Sequence, residues 1–251
     1  MTRIALITGG NRGIGRSTAL QLARDGVDLI ITFRSHAGEA DAVVASVREL
    51  GRTAVALRLD VGDVSSFDAF AQTVRGVLRE TWDRDTFDVL VNNGGLQITS
   101  PFADVTEADF DRLVDVHFKG VFFLTQKLLP LLADGGSIVN VSTGQTRFYT
   151  PERAVYAAAK GAVEVLTRFL AQELGPRGIT VNTIAPGAVA TDFSDGLVRD
   201  TPAVQEAIAA NTALGRYAVA DDIGPAIAAL LGDGTRWVTG QRIEVSGGVH
   251  L

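Results

Sequence analysis

The chain has 251 residues, 46% of them hydrophobic, which is enough for one large α/β domain with a substantial buried core. Its 29 acidic and 23 basic residues give a net charge of −6, which argues against nucleic acid or an anionic membrane as a partner. The absence of cysteine excludes disulfides and thiolate catalysis, and the three scattered histidines indicate no metal site. Because no apolar stretch has the length of a membrane span, we expect a cytoplasmic protein.

Short apolar or β-branched runs alternate with longer helical segments from end to end. The predicted strands are Arg3–Thr8, Asp28–Phe33, Thr53–Leu59, Phe87–Asn92, Ser137–Val141, Thr180–Ile184 and Gln241–Val245. The predicted helices include Gly38–Leu50, Val64–Glu80, Glu107–Leu132, Glu152–Leu174 and Asp221–Leu231. The strands are almost continuously apolar, as in a parallel sheet covered by helices on both faces. The alternation therefore predicts an α/β fold, with one doubly wound domain of about seven strands over residues 1–251.

One long segment, Pro186–Arg216, has no clear strand character. It is rich in small residues, Asp and Thr, and it contains Pro202. A long insertion near the carboxyl ends of the strands is typical of a mobile lid. The alternative is a surface excursion without function, and we expect the lid.

The first predicted strand runs directly into a glycine-rich turn and then into a helical pattern. Glycines leave room for a ligand backbone or a phosphate, because a side chain in the turn would block its approach. Free amides and the positive end of the helix dipole favour a pyrophosphate at the same place. The segment therefore predicts a dinucleotide site formed by Gly9, Asn11, Arg12, Gly13, Ile14 and Gly15.

Basic side chains lie near the end of the second predicted strand. An acidic residue there would bind the adenosine ribose hydroxyls and reject a 2′-phosphate, but the chain has Arg34 followed by Ser35. Arg34 can pair with that phosphate, Ser35 can donate a hydrogen bond to it, and Arg12 adds a second charge nearby. Ordinary solvated surface charge is the alternative. We interpret these residues as a preference for NADP(H) over NAD(H).

The third and fourth predicted strands also end in candidates for cofactor binding. Asp60, followed by Val61, can accept a hydrogen bond from an adenine amino group, or it can cap the helix that begins near Val64. Asn92 and Gly94 belong to an Asn-Asn-Gly-Gly stretch. That stretch can form a simple turn, or it can let the backbone lie flat under a ribose and a nicotinamide.

The fifth predicted strand ends in Ser142 and Thr143, and the next helix carries Tyr156 and Lys160. A spacing of four residues places the latter two side chains on one helical face. A tyrosine that exchanges a proton with an alcohol or carbonyl oxygen needs a pKa roughly three units below its free value of about 10, which a nearby ammonium and an oxidised nicotinamide can provide. A hydroxyl of Thr143 or Ser142 would polarise the substrate oxygen.

These motifs together resemble those of the classical short-chain dehydrogenase/reductase family over essentially the whole chain. The matching motifs, in the family's order and spacing, are Thr8-Gly9-x-x-x-Gly13-x-Gly15, Asn92-Asn93-Gly94-Gly95, Tyr156-x-x-x-Lys160, Asn182-x-Ile184-x-Pro186-Gly187 and Thr239-Gly240-x-x-Ile243-x-Val245-x-Gly247-Gly248. The resemblance implies a Rossmann-type fold, Tyr156 as general acid/base and Lys160 on the nicotinamide ribose. It further implies a homotetramer, and contacts with the nicotinamide end from Pro186, Gly187, Val189 and Thr191.

Two positions depart from the family's pattern. The family's catalytic serine usually lies thirteen residues before the tyrosine, where this chain has Thr143, with Ser142 just ahead. Because neighbours on a strand point to opposite faces, only one of them reaches the substrate; we favour Thr143, while a local shift would bring in Ser142. His117 stands where the family usually has an asparagine that holds a water behind the lysine. The imidazole can make that hydrogen bond, or it can simply pack within its helix.

The resulting hypothesis is an NADP(H)-dependent carbonyl reductase or alcohol dehydrogenase that transfers hydride between the nicotinamide and a ketone or secondary alcohol. The small-molecule substrate is predicted to be apolar or aromatic from four residues in segments that border the pocket, Phe148, Tyr149, Phe193 and Leu197.

Two alternatives remain at this point. A 3-oxoacyl-(acyl-carrier-protein) reductase would need a basic docking face, and Pro130–Ser137 carries no positive charge, although Arg147, Arg153 and Arg199 can lie near the pocket mouth. A non-catalytic NADP(H)-binding sensor on the same fold is the other alternative. Loss of the tyrosine or the lysine would favour the sensor, and both are present.

Overall fold

Seven apolar segments pair in parallel to form the central sheet of the computed structural model, which describes residues 2–251. The strands of this sheet are β1 (Ile4–Ile7), β2 (Asp28–Phe33), β3 (Ala54–Arg58), β4 (Phe87–Asn92), β5 (Leu132–Val141), β6 (Thr180–Pro186) and, last in the chain, β9 (Arg242–Val245). Their order across the sheet is β3-β2-β1-β4-β5-β6-β9. The chain therefore adds β2 and β3 on one side of β1, and β4, β5, β6 and β9 on the other side. At this reversal of strand order, a crevice opens at the carboxyl ends of β1 and β4.

Nine helices and a two-stranded ribbon complete the described part of the chain. The helices are α1 (Gly13–Arg24), α2 (Ala37–Glu49), α3 (Phe67–Trp82), α4 (Glu107–Val114), α5 (Gly120–Leu128), α6 (Ala154–Leu174), α7 (Leu197–Asp200), α8 (Pro202–Ala210) and α9 (Ala220–Leu230). The ribbon pairs β7 (Val189–Ala190) with β8 (Ala218–Val219). Within residues 2–251, none of the helices combines the length and apolar character that a membrane crossing requires.

Alternate residues of each inner strand supply two separate cores, which is why the strands are apolar throughout. In β1, Ile4 and Leu6 pack against α3, α5 and α6, whereas Ala5 and Ile7 pack against α1, α2 and α9. All four side chains are fully buried. Fully burying a large aliphatic side chain contributes about 1.5–3 kcal/mol. The predicted doubly wound α/β sheet with helices on both faces is thereby confirmed.

The structure corrects the predicted helix Glu107–Leu132. A single π-helical turn, Asp115–Lys119, separates α4 from α5, and a short 3₁₀ turn ends the helical region at Leu131. Leu132 already pairs with Phe87 in the sheet. The strand therefore starts five residues before the predicted Ser137. The pair Gly135-Gly136, which is typical of a turn in the sequence, lies where the register of β4 and β5 shifts.

The predicted lid segment, 186–216, contains more regular structure than its sequence indicates. It includes β7, α7 and α8, and β7 ties it to the start of α9 through β8. Between β7 and α7, Ser194 and Asp195 have φ values of 56° and 54°, a backbone conformation that non-glycine residues rarely adopt.

Candidate active site

A cavity of about 300 Å³ opens at the carboxyl ends of the central strands. A volume of this size is typical of small-molecule and cofactor sites. It brings together all but two of the residues predicted to be catalytic or to bind the cofactor. These lining residues are Gly9, Asn11, Arg12, Gly13, Ile14, Arg34, Ser35, Asp60, Val61, Gly94, His117, Ser142, Thr143, Tyr156, Lys160, Pro186, Gly187, Val189 and Thr191.

The N-terminus of α1 has the properties that a phosphate requires. No side chain caps this helix, and its first turn contains no acidic residue, so its amides and the positive end of its dipole are left to the cavity. Gly13 has a φ of 53°, and a Cβ there would lie 3.5 Å from the side chain of Thr191 across the cavity. The cradle fits a pyrophosphate, and hence the dinucleotide cofactor expected from the sequence.

Gly15 and Asn92 are not among the residues that line the cavity, and their contacts with the cofactor stay predictions. A Cβ on Gly15 would lie 2.2 Å from the carbonyl oxygen of Gly9, so this glycine lets α1 pack against its own turn. The Asn92 amide points into the core, where it donates to Asn140 at 2.8 Å and to Thr125 at 3.1 Å. Both residues shape the site from behind, and Asn93 lies at the cavity in place of Asn92.

The positive charge predicted at the adenosine end is present. Arg34 is exposed, and no carboxylate of residues 2–251 pairs with it. The Ser35 hydroxyl lies 2.9 Å from Nδ1 of His36, and Arg12 lies 3.9 Å from Asp192 of the lid segment. The chain thus offers a guanidinium without a partner where a 2′-phosphate would lie.

Asp60 does not cap the next helix, so that alternative is wrong. Its carboxylate accepts from the amide of Gly62 at 2.9 Å and from Arg112 at 3.4 Å. The 3₁₀ turn at Val64 is capped instead by Asp63, which accepts from the amide of Ser65. Asp60 lies at the wall of the cavity, where it can also accept a hydrogen bond from a base.

Tyr156 and Lys160 are buried side by side on α6, as their spacing predicts. The ammonium of Lys160 donates to the carbonyl oxygen of Val141 at 2.6 Å and lies 6.0 Å from the centre of the Tyr156 ring. Burial lowers the pKa of Lys160 to about 8. Burial also raises the pKa of Tyr156 to about 12, against opposing effects of Thr143 and Arg153. The protein alone therefore holds a neutral phenol, and the lowered pKa expected from the sequence requires a further positive charge beside it.

The hydroxyls of Ser142 and Thr143 face different surroundings. Ser142 donates to the carboxylate of Glu164 at 2.7 Å, and Arg242 donates to the same carboxylate oxygen at 2.9 Å. The Thr143 hydroxyl instead accepts from the amide of Gln145 at 3.3 Å and is close enough to the Tyr156 phenol to lower its pKa. Arg242 also donates to the Thr143 carbonyl at 3.2 Å, which fixes the end of β5.

His117 lies in the π-helical turn and is 1% exposed. Its Nε2 atom lies 2.6 Å from the carbonyl oxygen of Leu96, and its ring meets the edge of Tyr156 at 4.9 Å between centroids. Burial and then the charge of Lys160 hold the pKa of His117 well below 6.5, so the imidazole is neutral and Nε2 donates. Its Nδ1 atom, an acceptor, finds no hydrogen-bond partner among residues 2–251. The predicted role of His117 in holding a water behind Lys160 stays a prediction.

The substrate end of the cavity contains residues that the sequence did not single out. Gln97 and Gln145 line it, together with the expected Phe193 and Leu197 and with Arg153, which the sequence indicates only as a charge near the pocket mouth. The expected Phe148 and Tyr149 instead line an adjoining second cavity. The signal that could have identified Arg153 is its position three residues before Tyr156, close to one helical turn away.

Comparison with known proteins places this geometry in a family. A family model described as enoyl-(acyl carrier protein) reductase matches residues 9–250. A 3-oxoacyl-[acyl-carrier-protein] reductase of Staphylococcus aureus is 35% identical, covering 100% of this chain and 99% of its own.

Two solved ketoreductase structures are also similar. One is the promiscuous reductase LugOII, which catalyses keto-reduction at C1 during lugdunomycin biosynthesis; it has 36% identity and a TM-score of 0.94, with 99% of this chain and 98% of that chain covered. The other is the angucycline C-6 ketoreductase LanV with bound NADP, with 33% identity, a TM-score of 0.93, and 99% and 95% covered. The chain is an oxidoreductase and belongs to the short-chain dehydrogenase/reductase family.

Proposed function

We propose that the protein is an NADP(H)-dependent carbonyl reductase that converts ketones to secondary alcohols, and the reverse. The observation that carries the proposal is the meeting of Tyr156, Lys160 and Thr143 in one cavity with the open N-terminus of α1. An acid, a cation and a hydroxyl donor at one end of a dinucleotide cradle are the groups that carbonyl reduction requires.

The cofactor is NADP(H). Of the residues that line the cavity, Gly9 and Gly13 would hold the pyrophosphate, Arg34 and Arg12 would supply charge for the 2′-phosphate, and Lys160 would bind the nicotinamide ribose. The structure of the angucycline C-6 ketoreductase, which contains bound NADP, supports this assignment. When bound, NADPH supplies the hydride that the carbonyl carbon accepts.

The chain's own residues supply the proton and stabilise the oxygen. With its pKa raised to about 12, Tyr156 remains protonated at neutral pH and can donate its proton to the carbonyl oxygen. Thr143, whose hydroxyl lies beside the phenol, donates a hydrogen bond to the same oxygen. Lys160, charged below its pKa of about 8, stabilises the phenolate left behind.

Reduction of a small ketone is favoured over reduction of a carrier-bound 3-oxoacyl group. Of the three arginines expected near the mouth, Arg147 is paired with Glu244 at 2.8 Å, and Arg199 is paired with Asp192 and Asp200. An acidic carrier protein would find little uncompensated positive charge on these two, and the third, Arg153, lines the cavity itself.

We further propose that the protein is a homotetramer that acts in the cytoplasm and closes segment 186–216 over its substrate. Exposed apolar side chains on α4, α5 and α6 support an interface there, namely Phe110, Phe122, Val165 and Phe169. Most of residues 186–198 line the cavity, and this stretch includes the left-handed, non-glycine residues Ser194 and Asp195 before α7, which supports a moving segment. Light scattering of the purified protein tests the tetramer.

The proposed activity is tested by following NADPH oxidation with a panel of ketones, β-keto esters and a 3-oxoacyl thioester. We expect turnover with aryl and other apolar ketones, and slower turnover with the thioester. Absence of NADPH oxidation with every carbonyl compound, while NADPH still binds, would favour the non-catalytic sensor.

A further inference from the structure

Arg153, at the substrate end of the active site, forms no ion pair within residues 2–251, although the neighbouring Glu152 carboxylate acts on its charge from beyond ion-pair distance. It lines both the main cavity and the adjoining second cavity. No carboxylate of residues 2–251 lies within ion-pair distance of its guanidinium, whose one hydrogen bond in that range goes to the Ser194 hydroxyl at 3.4 Å. A guanidinium that is partly withdrawn from water and unpaired is a ready partner for an anionic oxygen.

The backbone holds Arg153 in this place. Glu152, just before it, has a φ of 61°, a conformation that costs a non-glycine residue free energy. The carbonyl of Glu152 accepts from the amide of Ser100 at 3.2 Å, which anchors the turn to the loop after β4. Arg153 then immediately precedes α6, three residues before Tyr156. Its charge is close enough to the phenol to oppose the burial effect on the pKa of Tyr156.

The second cavity beside Arg153, which we call the aromatic annex, has a volume of about 350 Å³. Its walls include the rings of Phe102, Phe148 and Tyr149. Phe102 and Tyr149 are 85% and 84% exposed, so their faces are free to stack on a flat ring. Arg153 and Gln145 line both spaces, so a single ligand can extend from Tyr156 into the annex.

We propose that the preferred substrates are aromatic ketones that carry an anionic oxygen, which Arg153 binds while the ring system lies in the aromatic annex. The anionic oxygen is a carboxylate or an ionised phenol or enol. This inference rests on the proposed carbonyl reductase activity and adds a specificity-determining residue to it.

The test compares 1-tetralone with its ring-carboxylated and ring-hydroxylated derivatives in the wild-type protein and in Arg153→Gln, Arg153→Lys and Arg48→Gln. Arg48 is exposed on α2 and lies outside both cavities, so Arg48→Gln makes the same change in net charge away from the site. We expect Arg153→Gln to lower the ratio of kcat/KM for the carboxylated over the neutral ketone about tenfold to a hundredfold, as loss of a hydrogen bond to a charged group would. Arg153→Lys should retain most of the ratio, and Arg48→Gln all of it.

The hydroxylated derivative distinguishes the two sources of the anionic oxygen. If an ionised phenol is recognised, its kcat/KM rises relative to that of 1-tetralone as the pH passes the phenol pKa, and Arg153→Gln abolishes the rise. A direct binding measurement uses titration of the wild-type protein with 2-naphthoate and with neutral 2-naphthamide in the presence of NADP⁺. We expect 2-naphthoate to bind at least tenfold more tightly, and Arg153→Gln to remove the difference.

Two failures are distinguishable. If no tetralone is reduced although NADPH binds, the proposed reductase activity is wrong. If the tetralones are reduced but the ratio is the same in wild-type protein and Arg153→Gln, or if 2-naphthoate and 2-naphthamide bind equally, the activity stands and the role of Arg153 is overturned. If Arg153→Gln lowers kcat equally for all three ketones, Arg153 acts only through the Tyr156 phenol. That result would also overturn the proposed role of Arg153 in substrate specificity.

Discussion

The two halves of the active-site cavity are built in different ways. The cofactor half comprises the ends of β1 to β4 and the start of α1, where glycine conformation and helix amides make the binding surface. The substrate half, which would also hold the nicotinamide end of the cofactor, comprises segments 142–160 and 186–198; they contribute side chains such as Tyr156, Arg153 and Phe193. Backbone geometry suits a ligand that stays the same, such as the cofactor. Substitutions of side chains on separate segments can change the substrate specificity without disturbing the sheet.

The largest effect expected in this comparison is that of Tyr156→Phe, which removes one oxygen from the substrate half. Loss of a general acid lowers the rate about 10²–10⁴-fold. NADPH affinity should stay within about threefold of wild type, because the cofactor half is untouched. Turnover of an aryl ketone and NADPH fluorescence titration measure the two quantities. Full activity in Tyr156→Phe would remove the phenol from the mechanism.

The next effect separates two neighbours at the end of β5. Thr143→Ala should lower kcat about 10²–10³-fold, because it removes a donor to the developing oxyanion. Ser142→Ala serves as the matched control and should lower kcat less than about tenfold, since the Ser142 hydroxyl bonds Glu164 at 2.7 Å instead of facing the phenol. Steady-state kinetics with one ketone measures both variants. The reverse order of effects would assign the catalytic hydroxyl to Ser142.

The same contrast explains how much the sequence predicts. The cofactor half follows from a local motif, so Gly9, Gly13 and Arg34 reach the cavity as expected. Asn92 belongs to a matching motif as well. Whether Asn92 or Asn93 faces the core depends on hydrogen-bond partners such as Asn140, which is 48 residues away. Periodicity does not specify such pairings.

The fold shows the same limit on a larger scale. All seven strands of the central sheet coincide with predicted ones because continuous apolar runs are a strong signal. The pattern does not predict the early start of β5, because Gly135 and Gly136 are typical of a turn. The sequence indicates Arg153 only as a charge near the pocket mouth, because its lack of an ion pair within residues 2–251 arises from the folded structure.

A third prediction concerns the free energy of unfolding, which the buried ammonium of Lys160 lowers. The pKa of Lys160 is lowered to about 8, so below that pH the folded protein holds a buried ammonium at a cost of about 3 kcal/mol. Lys160→Met removes that cost but loses the hydrogen bond to Val141, worth about 1 kcal/mol. We expect Lys160→Met to be inactive and about 2 kcal/mol more stable than wild type at pH 7.

The sign of this effect is checked by its pH dependence. As the pH rises above about 8, Lys160 becomes neutral in the folded protein while the unfolded chain still binds the proton, so the penalty declines towards pH 10.5. Urea unfolding of the cofactor-free protein at pH 7 and pH 10 measures it. A stability difference of the same size at both pH values would contradict the buried ammonium as its cause.

The fourth prediction returns to the cofactor half. Arg34→Ala removes the unpaired guanidinium from the adenosine end and should reduce the preference for NADPH over NADH about tenfold, mainly through a higher KM for NADPH. The ratio of kcat/KM for the two cofactors measures it. Arg48→Gln again controls for net charge. An unchanged ratio in Arg34→Ala would mean that Arg34 is ordinary surface charge.

The smallest expected effect concerns the pH dependence of kcat, which should show no titration of His117. Because burial and the charge of Lys160 hold the pKa of His117 well below 6.5, its imidazole stays neutral and keeps donating to Leu96 at neutral pH. The kcat of ketone reduction should therefore be flat between about pH 6.5 and 7.5 and should fall as the pH passes about 8, where Lys160 loses its charge. His117→Asn should leave the shape of this profile unchanged even if it alters the plateau. An inflection near pH 6.5 that His117→Asn abolishes would show that the imidazole exchanges protons during turnover, and the π-helical turn would then carry a titrating group.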